Sequence, residues 1–185
     1  MKIFYNSYAW SYSVRRAGIK IKWRNRDMRL LIKQRVFSFT DTYDVFDEYE
    51  NTKYFVKSEF FSLGHNIHIY NAAGNIEVGA VHQKLFSFLP QFQIEINGNI
   101  VGTIQKKFSM FTPKYQIDCK DWRVEGDFFG WNYEIMSAYS PIMQIYKEPF
   151  HWGDTYVLDF QNPEDELMGL LLVIAIDAVN CSKNR

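Results

Sequence analysis

Cysteine is scarce in this chain, and the two residues present, Cys119 and Cys181, form neither a close pair nor a metal-ligand spacing. That speaks against a disulfide framework or a zinc site and fits a reducing cytosol. The N-terminus lacks the apolar stretch of roughly 7–15 residues that marks a secretory signal. The only long apolar run, Leu167 to Ile176, falls well short of the roughly 20 residues that span a bilayer. No G-x-S-x-G, H-E-x-x-H or G-x-G-x-x-G occurs, so no catalytic constellation, enzyme activity or cofactor is expected. Gly74 and Gly79 have phosphate-loop spacing, but Ala80-Val81 follow where Lys and Ser/Thr are needed, which makes the stretch a hairpin turn. His65 and His68 are an odd number of positions apart and would point to opposite faces of a strand, and His82 and His151 have no motif neighbours. No metal site is expected from them.

What is present suits one globular domain: 185 residues, 47% apolar, 23% charged and 18% aromatic, the last favouring β-structure. A formal net charge of zero conceals an asymmetry. Residues 1–35 hold ten basic side chains against Asp27 alone, while the remainder holds 11 basic against 20 acidic. Such a basic arm raises the question of an anionic partner.

One hairpin unit recurs along the chain. Residues Ile104 to Asp118 align without gaps on Val81 to Glu95, and Ile32 to Val45 form a weaker third copy. Each copy reads as a strand ending in basic residues, a turn, and a second strand with alternating apolar positions such as Phe92, Ile94 and Ile96. Turn residues at Asn51-Thr52, Ala73-Gly74-Asn75, Asn97-Gly98-Asn99 and Gly130 recur at about the 8–12-residue spacing of a barrel or sandwich. About twelve strands are expected between Met28 and residue 161. The last element differs. Asn162 suits an N-cap, Pro163 the first helical position, and Glu164, Asp165 and Glu166 the positive helix end. The following residues are apolar on every side, so a helix over about 163–180 is expected to fill the middle of a closed antiparallel barrel.

Three stretches resemble the LURP-one-related family of the tubby C-terminal-like superfamily, to which phospholipid scramblases are also similar. They are Leu31-Ile-Lys-Gln-Arg-Val-Phe-Ser38, Val124-Glu-Gly-Asp-Phe128, and Asp154-Thr-Tyr-Val-Leu-Asp159 leading to Ile176-Asp177-Ala-Val179. The resemblance spans about residues 28–181 and implies a twelve-stranded barrel around a central C-terminal helix. Because some superfamily members act at lipid membranes, it also implies a non-enzymatic domain that binds anionic phospholipid at a membrane surface. The alternative is a structural or protein-interaction module without lipid affinity, with nucleic acid a third partner. The segment before the helix lacks a calcium-loop spacing, and helix capping accounts for its carboxylates.

Residues 1–27 lie outside the resemblance, leaving a domain over 28–185. Either they are a native basic extension or the chain starts at Met28, since Trp23-Arg24 can be encoded by a purine-rich ribosome-binding sequence. In the arm, Lys20, Lys22, Arg24 and Arg26 would share one strand face, as anion contacts or as protection of an edge strand. Lys33 with Arg35, Lys84, and Lys106 with Lys107 close the repeat strands and would line an anion site if the copies meet, or else form solvated strand faces. Asp177, on a helix with no wet side, is either paired with one of these cations or with backbone N–H groups at the barrel rim, or hydrated where the helix emerges.

Overall fold

The computed structural model describes residues 28–33, 42–61, 64–108, 114–127, 131–138, 140–150 and 153–181. Lys20, Lys22, Arg24, Arg26, Arg35 and Gly130 lie outside the described residues. The strands are β1 (Arg29–Lys33), β2 (Thr42–Phe46), β3 (Thr52–Phe61), β4 (Gly64–Asn71), β5 (Glu77–Gln83) and β6 (Gln91–Ile96). They continue with β7 (Asn99–Lys107), β8 (Lys114–Asp118), β9 (Trp122–Asp127), β10 (Asn132–Ser137), β11 (Ser140–Phe150) and β12 (Gly153–Phe160). A 3-10 turn, Pro163–Asp165, leads into α1 (Glu166–Cys181).

All twelve strands join one antiparallel sheet in the order β8-β7-β6-β5-β4-β3-β2-β1-β12-β11-β10-β9. Neighbours are consecutive in sequence except at β1 and β12, which pair from Arg29↔Asp159 to Lys33↔Thr155. The edge strands β8 and β9 are linked by the short corner 119–121, so the sheet curls into a nearly closed barrel. Period-two alternation sets the lining: Phe92, Ile94, Ile104, Ile135 and Ile145 are fully buried, while the residues between them face outward. The two stronger repeat copies are the adjacent hairpins β5–β6 and β7–β8, and the third copy falls on β1–β2. Asn97 (φ 50°) and Gly98 (φ 77°) form the turn between β6 and β7, both in the left-handed region that a two-residue hairpin of this kind requires.

Helix α1 occupies the interior. Met168, Leu170 to Ile176, Ala178 and Val179 are all buried and belong to one cluster with the barrel lining, so the apolar girdle meets strands on every side. Sixteen residues give a helix about 24 Å long. Two glycines let it approach its neighbours. A Cβ on Gly79 would lie 2.9 Å from Leu171 Cδ1, and one on Gly169 would lie 2.6 Å from the Phe160 ring.

The expected cap is only partly realised. Asn162 has extended backbone angles (φ −132°, ψ 136°) and its carbonyl accepts from the Asp165 N–H at 3.2 Å, but its side chain makes no capping hydrogen bond. Pro163 takes the first position of the 3-10 turn. The two carboxylates that follow Glu164 do more than complement the helix end. Asp165 accepts from Lys120 Nζ at 2.7 Å, and buried Glu166 accepts from Lys53 Nζ at 2.7 Å and Tyr54 O–H at 2.8 Å. They tie the start of α1 to one rim of the barrel.

Candidate functional site

The other rim, where α1 ends, carries the surface feature that stands out most. Strands β5 and β7 run toward it, and the β5–β6 connection displays Leu85, Phe86 and Phe88, with Phe108 beside them at the end of β7. Phe86 and Phe88 are as exposed as in an extended chain, at 103% and 101%, and Phe108 is 85% exposed. The pairing of β6 with β7 continues up to this rim, since the Lys106 N–H donates to the Pro90 carbonyl at 3.2 Å. Phe86 also sits at φ 60°, an unfavourable conformation for a bulky side chain. Single exposed apolar residues are ordinary, but three phenylalanines and a leucine at the ends of β5 and β7, two strands apart in the sheet, make a patch of this rim. Exposed Lys84, Lys107 and Lys114 flank it.

Beneath this rim the end of α1 is held by polar contacts inside the barrel. Asn180 Oδ1 accepts from the Tyr115 hydroxyl and from Lys106 Nζ at 3.4 Å. Burial pushes the Tyr115 hydroxyl up to about 12, the Asn180 hydrogen bond opposing and the Asp177 charge reinforcing the shift. Tyr43 and Tyr133 are raised by burial first and by Asp177 second. The Asp177 carboxylate, half-buried, therefore acts on three tyrosines of the lining. These contacts close the end of the core.

The sequence candidates separate into three groups. Lys106 is buried, only 8% exposed, and points inward to Asn180, which corrects its reading as an outward strand-face or anion-site residue. The reason is parity: β7 turns Gly102, Ile104 and Lys106 to the interior and Lys107 outward. Lys33 pairs with Glu50 at 3.0 Å and lies over the Phe46 ring on the β1–β2 side, so it does not join the cations of the β5–β8 hairpins. Lys84 and Lys107 are brought to one rim on neighbouring hairpins. As outward residues, Lys33, Lys84 and Lys107 are not the partners of Asp177.

Two features escaped the sequence. One is the exposure of Leu85, Phe86, Phe88 and Phe108. The other is a cluster on the outer face of β4–β6, where His68 lies 3.2 Å from Glu77, His82 lies 3.4 Å from Glu95 and 2.9 Å from Asn66 Oδ1, and the two rings stand 5.8 Å apart. Hairpin register alone brings these distant positions together. Among the described residues no group of three or more metal-ligating side chains is arranged to hold an ion.

A model of the LURP-one-related family matches residues 28–177. The chain belongs to that family. The uncharacterized protein YxjI of Bacillus subtilis (strain 168) is similar to it, with 32% identity over 152 residues, covering 82% of this chain and 93% of that protein. A solved plant structure from Arabidopsis thaliana matches with a TM-score of 0.55 and 14% identity, covering 82% of this chain and 91% of the plant one. That likeness speaks for the fold alone. The LURP-one-related match begins at the residue that precedes β1 and ends within α1, so the aromatic rim and the floor residues Lys106, Tyr115 and Asp177 fall inside it, while Asn180 lies three residues beyond its end. Among the described residues no helix is long and apolar enough to cross a membrane.

Proposed function

We infer that this protein binds an anionic phospholipid surface peripherally, through the rim where α1 ends. The observation that carries the reading is the exposure of Phe86, Phe88 and Phe108 beside Lys84, Lys107 and Lys114. Rings at the tips with ammonium groups just behind them match the order of acyl chain and headgroup at an interface. Half-insertion of three phenylalanines would contribute roughly 2–4.5 kcal/mol, and three lysines about 3 kcal/mol near an anionic leaflet. The total lies between millimolar and micromolar on the affinity scale, which suits reversible adhesion.

Vesicle co-sedimentation tests this. The full chain is expected to pellet with phosphatidylcholine vesicles that contain phosphatidylserine and to pellet much less with phosphatidylcholine alone. The double variant Phe86→Ser/Phe88→Ser should bind about tenfold more weakly, a loss of about 1.4 kcal/mol. A chain beginning at Met28 measures what Lys20, Lys22, Arg24 and Arg26 add, at most about 1 kcal/mol each. Failure of the full chain to pellet with either vesicle overturns the lipid reading and leaves the protein-interaction alternative.

A further inference from the structure

The outward face just behind the aromatic tips sets two like charges in direct opposition, as Glu125 and Glu134 are across β9 and β10, where Arg123 pairs with Glu125. Lys107 and Lys114 are directly opposite each other across β7 and β8, and both are exposed. Side chains so placed share a face with Cβ atoms about 4.5–5.5 Å apart, and like charges there repel. Four other exposed lysines are paired: Lys33 with Glu50, Lys53 with Glu166, Lys57 with Glu59 and Lys120 with Asp165. Among the described residues, Lys84, Lys107 and Lys114 enter no ion pair.

The next row of the sheet extends the pattern. Lys84 donates its N–H to the Gln91 carbonyl at 2.8 Å, Gln91 is opposite Gln105, and Gln105 is opposite Gln116. These residues face outward because Phe92, Ile104 and Lys106, at the alternate positions, are buried. Two adjoining rows thus hold three ammonium groups and three side-chain amides without a carboxylate. The first acids on this face, Glu95 and Asp118, stand farther along β6 and β8.

A ligand for such a surface needs dense negative charge and several acceptor oxygens in a small volume. A phosphomonoester meets that need, with about −1.5 to −2 charge near neutral pH and three acceptor oxygens. A phosphodiester carries one charge and fewer free oxygens. Lysines suit convergence on such a group because each is a compact charge on a flexible stem. Lys84 and Lys107 also hold equivalent positions in the two repeat copies, each immediately before an exposed apolar residue, Leu85 or Phe108. When the tips enter the acyl boundary, both ammonium groups stand at headgroup depth.

We propose that Lys84, Lys107 and Lys114, with the glutamine row beside them, form a receptor for a phosphomonoester headgroup. This deepens the lipid reading of the rim and rests on it for the source of the ligand. The test compares vesicles of matched surface potential containing either phosphatidic acid, a phosphomonoester, or phosphatidylserine, a phosphodiester. The full chain should bind the phosphatidic acid vesicles about tenfold more tightly, equivalent to about 1.4 kcal/mol. Lys107→Gln/Lys114→Gln should abolish that preference while residual binding persists, and its thermal midpoint should be no lower than that of the parent, because repulsion has been removed. Phe86→Ser/Phe88→Ser should weaken binding to both vesicles by a similar factor and leave the preference intact.

Absence of the preference in the full chain, or its survival in the double lysine variant, overturns the receptor. Failure to bind any vesicle sinks the lipid reading separately. In that case glycerol 3-phosphate is titrated while the backbone amides of Lys107 and Lys114 are followed by NMR. Shifts lost in the double lysine variant would sustain a phosphomonoester site served by a free ligand, and no shifts would overturn it.

Discussion

The Glu134 side chain on β10 is half-buried, and both burial and the nearby Glu125 charge raise its carboxyl above the ordinary value. A carboxyl raised in the folded state stabilises the fold most below its unfolded pKa, and that contribution is lost as pH rises through the folded value. Glu134→Gln is therefore expected to raise stability at neutral pH, by up to about 0.5 kcal/mol given solvent screening. The difference should vanish in acid, where Glu134 is itself protonated; urea melts at both pH values check the sign. Asp177 behaves differently. It is partly buried and has a polar or electrostatic partner in the fold, so removing its carboxylate in Asp177→Ala should cost about 1–3 kcal/mol in a urea melt. A change below about 0.5 kcal/mol would make it the hydrated end of the helix. Residue-level legibility was uneven. Lys106 and Lys107 look alike in the sequence and differ only in strand parity, which one unseen register decides. The aromatic content announced β-structure without showing that Phe86 and Phe88 stand at a hairpin tip.

At the level of elements, α1 was the most legible part, because nine large apolar side chains with no polar face admit only an interior position. Its anchors were not legible. Asp165 and Glu166 suit a helix start on dipole grounds alone, and their partners Lys120, Lys53 and Tyr54 arrive from strands far away in sequence. Gly169 likewise gave no warning. Alanine there would gain about 1 kcal/mol of helix propensity, but its Cβ would stand 2.5 Å from Met143 Sδ and 2.6 Å from the Phe160 ring. Overpacking of this kind costs about 1–3 kcal/mol, and displacing an aromatic ring lies toward the upper end. Gly169→Ala should therefore destabilise, by about 1–2 kcal/mol after subtraction. A thermal midpoint equal to or above that of the parent would show that Met143 and Phe160 yield easily.

The molecule as a whole depends on its last element. Ten buried residues of α1 share the core with the barrel lining, and each large one contributes roughly 1.5–3 kcal/mol of transfer free energy, an upper estimate. Their sum exceeds the roughly 5–15 kcal/mol by which a domain is stable. A chain ending at Gln161 should be insoluble or lack a cooperative thermal transition, and a sharp transition in it would refute the interior role of α1. The repeat made the meander visible in the sequence, whereas closure depended on β1 finding β12, a pairing with no local trace.

That pairing has a consequence for how the protein is made. Leu30 and Ile32 leave the ribosome among the first residues of the barrel, yet their strand's long ladder is with Tyr156 to Leu158, near the end of the chain. The hairpins between can zip in order as they emerge, but they form a curved ribbon with a wet interior until β12 and α1 are released. Closing so long a loop is slow. The inner face of that ribbon is therefore covered only once both β12, which pairs with β1, and α1, which fills the space, have emerged.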